Sequence, residues 1–487
     1  PDPVTDPSCS CTSNWPLEPQ TNFDLIQFGE TDQCGDWISL QPKMSAGKVP
    51  PNLREHAPMT AAKKWLDTKE IELVECLVPD INGVSKGKIV RAEDLVSGEI
   101  RLPEAVFGQD VVGGWCEDHD LFDVADVDML LAPDATTLVI QPWSNTKTAQ
   151  CICDCESLDG KPLAIAPRTI LRNILGLYHA KEMQPVIAQE AEFYLVERNP
   201  DPDKPLEAAK GISGRQQKTP RSFQIEVLSE FSPFLERLYE YSTGHEIVTA
   251  GVVTEMGCGQ LEVNFRHGDA LACADAMFNF KRIARQAALE QGYYATFLSK
   301  PMSAQPGSAM HLHQSVVDVS SKNNVFSNKD GEHSEQFYAY LGGLQKYMPN
   351  VMAFLAPNVN SYRRFDDAES CPINTEWGID NRTTGFRVPR SSADATRIEN
   401  RIPGSDTNPY LAVAASLACG YLGMQEGLRP SEPSTESAWD LEHTLPRTLR
   451  ESLDLLLECQ PLMDLFGERF VNVFVDLKLR ELSAFSS

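Results

Sequence analysis

The sequence predicts a mixed α+β protein with two structured parts, a small β-rich domain over 56–160 and a larger domain over 161–487 in which helices and strands alternate. Three observations carry this. Short strand-like runs joined by turn residues dominate up to about 160. Asp159-Gly160-Lys161-Pro162 then punctuates the chain, and from Pro167 onward the apolar pattern switches repeatedly between period 3.6 and period 2. No internal repeat is visible.

Residues 1–55 are rich in Pro, Ser, Thr and Asp and lack periodicity, so they read as a tail or arm with little structure of its own. A helix is expected over 60–69 and a strand over 71–78. Asn82-Gly83 is a hairpin signal and leads into a second strand over 85–89. Acidic residues from Glu117 to Asp128 read as a solvated loop without the regular spacing and central glycine of a calcium loop. Strands follow over 137–141 and 149–155, the latter holding Cys151, Cys153 and Cys155 on one face, a pattern of buried packing.

In the larger part, helices are expected over 168–181, 233–243, 270–291, 334–356 and 408–427, the last two completing the domain. Strands are expected over 185–196, 259–265 and 294–297, with a polar loop over 199–221. The run 307–315, Gly-Ser-Ala-Met-His-Leu-His-Gln-Ser, reads as a loop feeding a strand. Residues two apart share a strand face, so His311, His313 and Ser315 point the same way.

The chain has 487 residues, 42% hydrophobic and 23% charged, with a formal net charge of −26. Such an acidic surface argues against nucleic acid or anionic membrane as a partner. Thirteen scattered cysteines do not form a disulfide framework, and Cys9 and Cys11 are too close together to build a tetrahedral site alone. The longest apolar run, 411–422, is too short to span a bilayer, and no signal sequence is recognisable, so a cytoplasmic location is expected.

Chemistry enters with the other strands. Glu190 and Glu192 share a face of the strand 185–196, Glu255 and Glu262 bracket a glycine-containing turn, and Arg397, Glu399 and Arg401 alternate on one side of a further segment. Like charges pointing inward need a cation among them. Glutamates with histidines suit the hard cations Mg²⁺ or Mn²⁺ better than structural Zn²⁺. Arginines in the same place imply an anionic ligand, and cations beside arginines are what phosphoryl transfer requires. There is no GxxxxGK[ST] loop and no kinase-like set, so any nucleotide is held without a P-loop.

Together these segments resemble the glutamine synthetase family over 57–427. The matching stretches are 80–83 (Asp-Ile-Asn-Gly), 190–193, 255–262, Lys300-Pro301, 307–315, 360–364, 377–383, 397–401 and 408–410. The resemblance implies a β-grasp N-terminal domain and an α/β catalytic domain with a curved antiparallel sheet. It also implies active sites between subunits of a homo-oligomer, a dodecamer of two stacked hexameric rings. By family position, Glu192, Glu255 and Glu262 resemble ligands of one divalent metal, and Glu190, His311 and Glu399 ligands of another, among two or three Mg²⁺ or Mn²⁺ per site. Arg364 resembles the clamp on the glutamate α-carboxylate, with Gly307 a backbone contact to that substrate and Arg401 a contact to the reacting carboxylate. Arg382 and Arg397 would neutralise the transferred phosphate. Arg387, His313 and Ser315 would sit at ATP. Asp80 would reach in from a neighbouring subunit to take a proton from the attacking amine.

Two departures bear on the acceptor. Ammonia-using members carry a flap glutamate six residues after the substrate arginine, where this chain has Ser370, with Glu369 one place early; and Pro306 replaces an asparagine before Gly307. Losing the carboxylate that holds ammonium leaves room for a larger amine. The segments 360–365 and 377–383 resemble γ-glutamylputrescine synthetase and related γ-glutamyl-amide synthetases. The expectation is therefore an ATP-dependent ligase joining glutamate to an organic amine through γ-glutamyl phosphate. Glutamine synthesis from ammonia is the nearer alternative, and a catalytically silent scaffold the further one.

Overall fold

In the computed structural model, residues 59–201, 203–366 and 371–486 are described. The expected arm over 1–55, with Cys9 and Cys11, and the flap positions Glu369 and Ser370 lie outside them. The described residues build two sheets that are antiparallel for the most part.

The first sheet contains β1 (Leu73–Pro79), β2 (Ser85–Arg91), β3 (Ile100–Pro103), β4 (Asp128–Pro133), β5 (Val139–Ile140) and β6 (Thr148–Glu156). Its order is β2-β1-β6-β4-β3, with β5 beside β6 and only β1–β6 parallel. The Asn82-Gly83 signal is realised as the β1–β2 hairpin, with Gly83 at φ 74° donating its N–H to Asp80 O. Cys151, Cys153 and Cys155 are buried, and Cys76 pairs with Cys151 in the β1–β6 register.

The second sheet contains β7 (Met183–Glu197), β8 (Thr249–Thr254), β9 (Gln260–Phe265), β10 (Gly268–Asp269), β11 (Tyr293–Thr296), β12 (Met310–Asp318), β13 (Trp377–Ile379), β14 (Phe386–Val388) and β15 (Ile398–Asn400). Its order is β13-β14-β15-β12-β7-β9-β8, with β10 and β11 also on β7. One face of β7 carries Ala191, Phe193 and Leu195, all fully buried. Phe193 packs edge-to-face with Phe234 and Phe280 of the helices Ser232–Gly244 and Ala270–Glu290. The other face carries the glutamates.

A third layer centres on the helix Pro409–Glu426, which packs against the helices Glu335–Tyr347 and Pro167–His179. It is apolar nearly all round because it is buried nearly all round. Asn408 caps its start through Tyr410 N and Leu411 N, and Gly427, left-handed at φ 62°, ends it. Arg168, 1% exposed, ties the layers together by donating to Asp275, Asp154 and Asp134.

The elements differ from expectation in several places. The helix expected over 334–356 stops at Tyr347, because Pro349 cannot supply an N–H, and resumes as a short turn at Met352–Leu355. The strand expected over 137–141 shrinks to Val139–Ile140 after a 3₁₀ turn. Strands β3, β4, β8, β10, β13 and β14 were not anticipated. The helix expected over 408–427 is also not the last one: helices Leu449–Glu458, Gln460–Phe466 and Glu468–Ser486 follow.

Candidate active site

Strand register assembles the site. In β12 against β7, His311 pairs with Glu190; in β7 against β9, Glu192 pairs with Glu262. In β12 against β15, His313 pairs with Glu399, and Glu399 in turn pairs with Arg387 of β14. Because side chains alternate, Met310, Leu312 and Ile398 point into the core while His311, His313 and Glu399 point out of it together.

The contacts are close. His311 Nδ1 lies 3.1 Å from Glu190 Oε2, and His313 Nε2 lies 2.9 Å from Glu190 Oε1. His311 Nε2 is 3.9 Å from Glu192 Oε1, and its Nδ1 is 3.7 Å from Glu399 Oε1. Ligand atoms of Glu190, Glu262 and His311 fall within 4.8 Å of one another, as do those of Glu190, His313 and Glu399. These groups cut across the two ligand sets implied by the family resemblance, with Glu190 and the two histidines at the centre.

Around this core, Arg387 Nη1 and Arg401 Nη1 donate to the two oxygens of Glu399 at 2.7 and 2.5 Å, and Arg397 Nε lies 3.3 Å from His313 Nδ1. Glu192 Oε2 accepts from Ala309 N at 2.8 Å. Arg364, 2% exposed, donates to Ile402 O and Arg401 O, and its side chain fills the space where a Cβ on Gly307 would stand, 2.5 Å from Arg364 Cγ. Glu255 is half-buried and feels the charge of the exposed Arg382. Ser315 is half-buried one step further along the same face. Asp80 sits in the β1–β2 turn of the other sheet, where its carboxylate accepts from Val84 N and faces Lys86 at 3.8 Å. Burial pushes Asp80 up to about 6.

Electrostatics divide the carboxylates in two. Burial, then repulsion from Glu255, raises Glu192 to about 8; burial, then repulsion from Glu190, Glu192 and Glu255, raises Glu262 to about 9. Glu399 moves the other way, to about 2: burial opposes ionisation, but the Arg401 charge outweighs it. Glu190 is likewise held well below the usual range against its burial by the two histidines. His311 falls to about 4 through burial and the Arg401 charge, so its imidazole is neutral and one of its ring nitrogens is open to a cation. Buried carboxylates that hold protons only because nothing else neutralises them, beside a neutral imidazole, form an oxygen-rich donor set that fits a hard divalent cation.

Sequence reasoning left out three supporting groups. Gln260 Nε2 bridges Gly307 O, Ser308 Oγ and Glu192 Oε2, and Asn264 Nδ2 donates to Glu262 Oε1. Both lie two residues from Glu262 on the same strand face, so the period-2 pattern could have found them. The third, Ser405, donates from Oγ to Glu192 O at 2.5 Å from a distant loop, and no local signal marks it.

A sheet face on which carboxylates, neutral imidazole and arginines converge defines a class: enzymes that handle anionic, phosphate-bearing substrates with the help of divalent cations. Comparison with known proteins narrows the class. Residues 164–487 match the model of the glutamine synthetase catalytic domain. The chain is 31% identical to a glutamate–isopropylamine ligase from a Pseudomonas species over 87% of its length and 94% of that protein's. It is 32% identical to γ-glutamylputrescine synthetase of Escherichia coli K12, over 87% and 91%. A glutamine synthetase of Pyrococcus abyssi is 29% identical over 86% and 92%. Among solved structures, the ADP complex of GmaS is 26% identical and superposes with a TM-score of 0.74, covering 87% of this chain and 96% of that one. The chain belongs to the glutamine synthetase family and has its fold. It is an ATP-dependent ligase of that family, whose members use ATP and divalent metals.

Proposed function

We propose that this ligase joins glutamate to an organic amine, forming a γ-glutamyl amide through a γ-glutamyl phosphate intermediate. The observation that carries the reading is the placement of Arg364. It is a buried guanidinium held by backbone carbonyls beside Gly307, on the same wall as the carboxylate cluster, where an amino acid's α-carboxylate can pair with it.

Glu192, Glu255 and Glu262 would hold one cation and Glu190, His311 and Glu399 a second, with His313 close enough to share it. Cations there would supply charge neutralisation for the phosphates of ATP. The chain's own side chains do the rest. Arg364 and the Gly307 backbone orient glutamate. Arg401 faces its reacting carboxylate, and Arg387, His313 and Ser315 face the nucleotide. Arg382 and Arg397 would receive the transferred phosphate's charge. A carboxylate is a poor electrophile, so phosphorylation precedes attack, and the neutral amine that then attacks must lose a proton. In this chain Asp80 bonds within its own hairpin, consistent with service at the site of a second copy in a homo-oligomer.

The acceptor reading rests on Ser370 and Pro306, on the similarity to two amine ligases, and on a cavity of about 990 Å³ beside Gln305 and Cys258. Its lining combines Glu207 and Asp366 with Lys218, Lys300 and Arg363 and with apolar Leu206 and Met302. The test is glutamate- and ATP-dependent phosphate release across ammonia, diamines, alkylamines and aromatic amines. Ammonia outperforming every organic amine would overturn the acceptor assignment, and absence of glutamate-dependent turnover with all of them would overturn the ligase reading.

A further inference from the structure

We infer that Lys281 is a positioning residue for this reaction: it holds the backbone segment on which Arg364 and Glu192 are aligned, without touching substrate itself. The inference rests on the glutamate-binding reading above for its kinetic consequence, but its structural premise stands apart from it.

Lys281 lies in the helix Ala270–Glu290 and is 6% exposed. Its Nζ donates to Ser405 O and to Thr407 O, both at 2.7 Å, and sits 5.6 Å from the centre of the Phe297 ring. Among the described residues no carboxylate lies within ion-pair distance of it. An ammonium buried on two neutral carbonyls is costly to desolvate, and a hydrophobic side chain would pack there more cheaply. What an apolar residue could not do is satisfy the carbonyls of Ser405 and Thr407, whose residues are themselves fully buried.

The segment so pinned reaches the site at three points. Ser405 Oγ donates to Glu192 O, and Ser405 N donates to Ser308 O, next to Gly307. Just upstream, the carbonyls of Arg401 and Ile402 are the two acceptors of the Arg364 guanidinium. A shift of this backbone therefore moves the α-carboxylate clamp and the glycine loop together. Segment 404–407 meets β12 at its entry, where Gly404 bridges Ala309 and Thr407 Oγ1 lies 4.0 Å from Met310 Sδ, whereas the groups assigned to the nucleotide hang further along β12, at His313 and Ser315, and from β14. Lys281 thus acts on the glutamate end of the site and leaves the nucleotide end alone.

The test compares Lys281→Met and Lys281→Gln with the wild type by steady-state phosphate release and by amide hydrogen exchange. In Lys281→Met the KM for glutamate should rise about tenfold, the factor expected from losing an anchoring hydrogen bond, while the KM for ATP stays within about twofold. The amides of Gly404 and Ser405 should exchange faster, and those of 311–315 should not. Lys281→Gln, which keeps a donor, should recover part of both effects. Parallel rises in the two KM values, or unchanged protection at 404 and 405, would overturn the proposal. Should the Met variant fail to fold, the Gln variant is judged by the same criteria. A wild type without glutamate-dependent turnover would instead defeat the functional reading, and the exchange result alone would then decide whether Lys281 holds the segment.

Discussion

Cation binding should expel protons. Glu192, at about 8, and Glu262, at about 9, are both protonated at neutral pH in the metal-free chain. A divalent cation can use only the ionised carboxylates, so occupying the cluster at pH 7 should release about one to two protons per chain. Displacing the Glu262 proton at that pH costs about 3 kcal/mol of the cation's binding energy. Apparent affinity should therefore climb from pH 6 to 8. Titration calorimetry with Mn²⁺ in two buffers of different ionisation enthalpy measures the proton count directly. Glu262→Gln keeps the size of the side chain and can still accept from Asn264. It should lower affinity at least tenfold, the smaller end of what disturbing even a supporting group at a metal site costs, and should remove roughly one proton from the count. An observed enthalpy independent of buffer would refute the argument that these carboxylates are neutral before the cation arrives. So would a Glu262→Gln variant with wild-type affinity and stoichiometry.

Three further outcomes follow from particular contacts. Gly307→Ala puts a methyl 2.5 Å from Arg364 Cγ and 2.9 Å from Ser299 O; the displacement, costing about 1–3 kcal/mol, should appear as a raised glutamate KM with a smaller change at ATP. Arg168→Met strands Asp134, Asp154 and Asp275 without their shared partner and should cost about 3–5 kcal/mol in urea unfolding. Burial, with the nearby Arg285 charge, holds Lys281 down at about 7 despite Asp406. Between about 7 and 10.4 the unfolded chain then carries a proton the folded one has shed, so wild-type stability should rise with pH through that window. Lys281→Met should lose that rise, a difference on the order of 2 kcal/mol by pH 9 in chemical denaturation.

What could be read without coordinates was whatever depends on neighbours along the chain. The period-2 placement of Glu190 with Glu192, and of His311 with His313, follows from strand geometry alone. The cap residues Asn408 and Gly427 likewise bound their helix as their chemistry requires. What could not be read was register. The contact of Glu190 with His311 spans 121 positions, and nothing local fixes which residue of β12 faces which of β7. The grouping of donors, and the role of Ser405, follow from that register. Strand β4 was hidden because Asp128, its first residue, closes an acidic run that reads as loop, and β3 is only four residues ending in Pro103. The helix expected over 334–356 was overextended by giving its apolar period more weight than Pro349.

The guanidinium of Arg364 differs from its neighbours in how its charge is spent. Arg387 and Arg401 divide one carboxylate, Glu399, between them, so their fields are already partly cancelled. Arg364 leans on two peptide oxygens, which fix its orientation but leave its formal charge whole. On the proposed reading, an incoming amino acid meets a strongly attractive point there and is anchored by its invariant end. The side-chain carboxylate then reaches Arg401 only if the chain is long enough, which should make the site intolerant of aspartate.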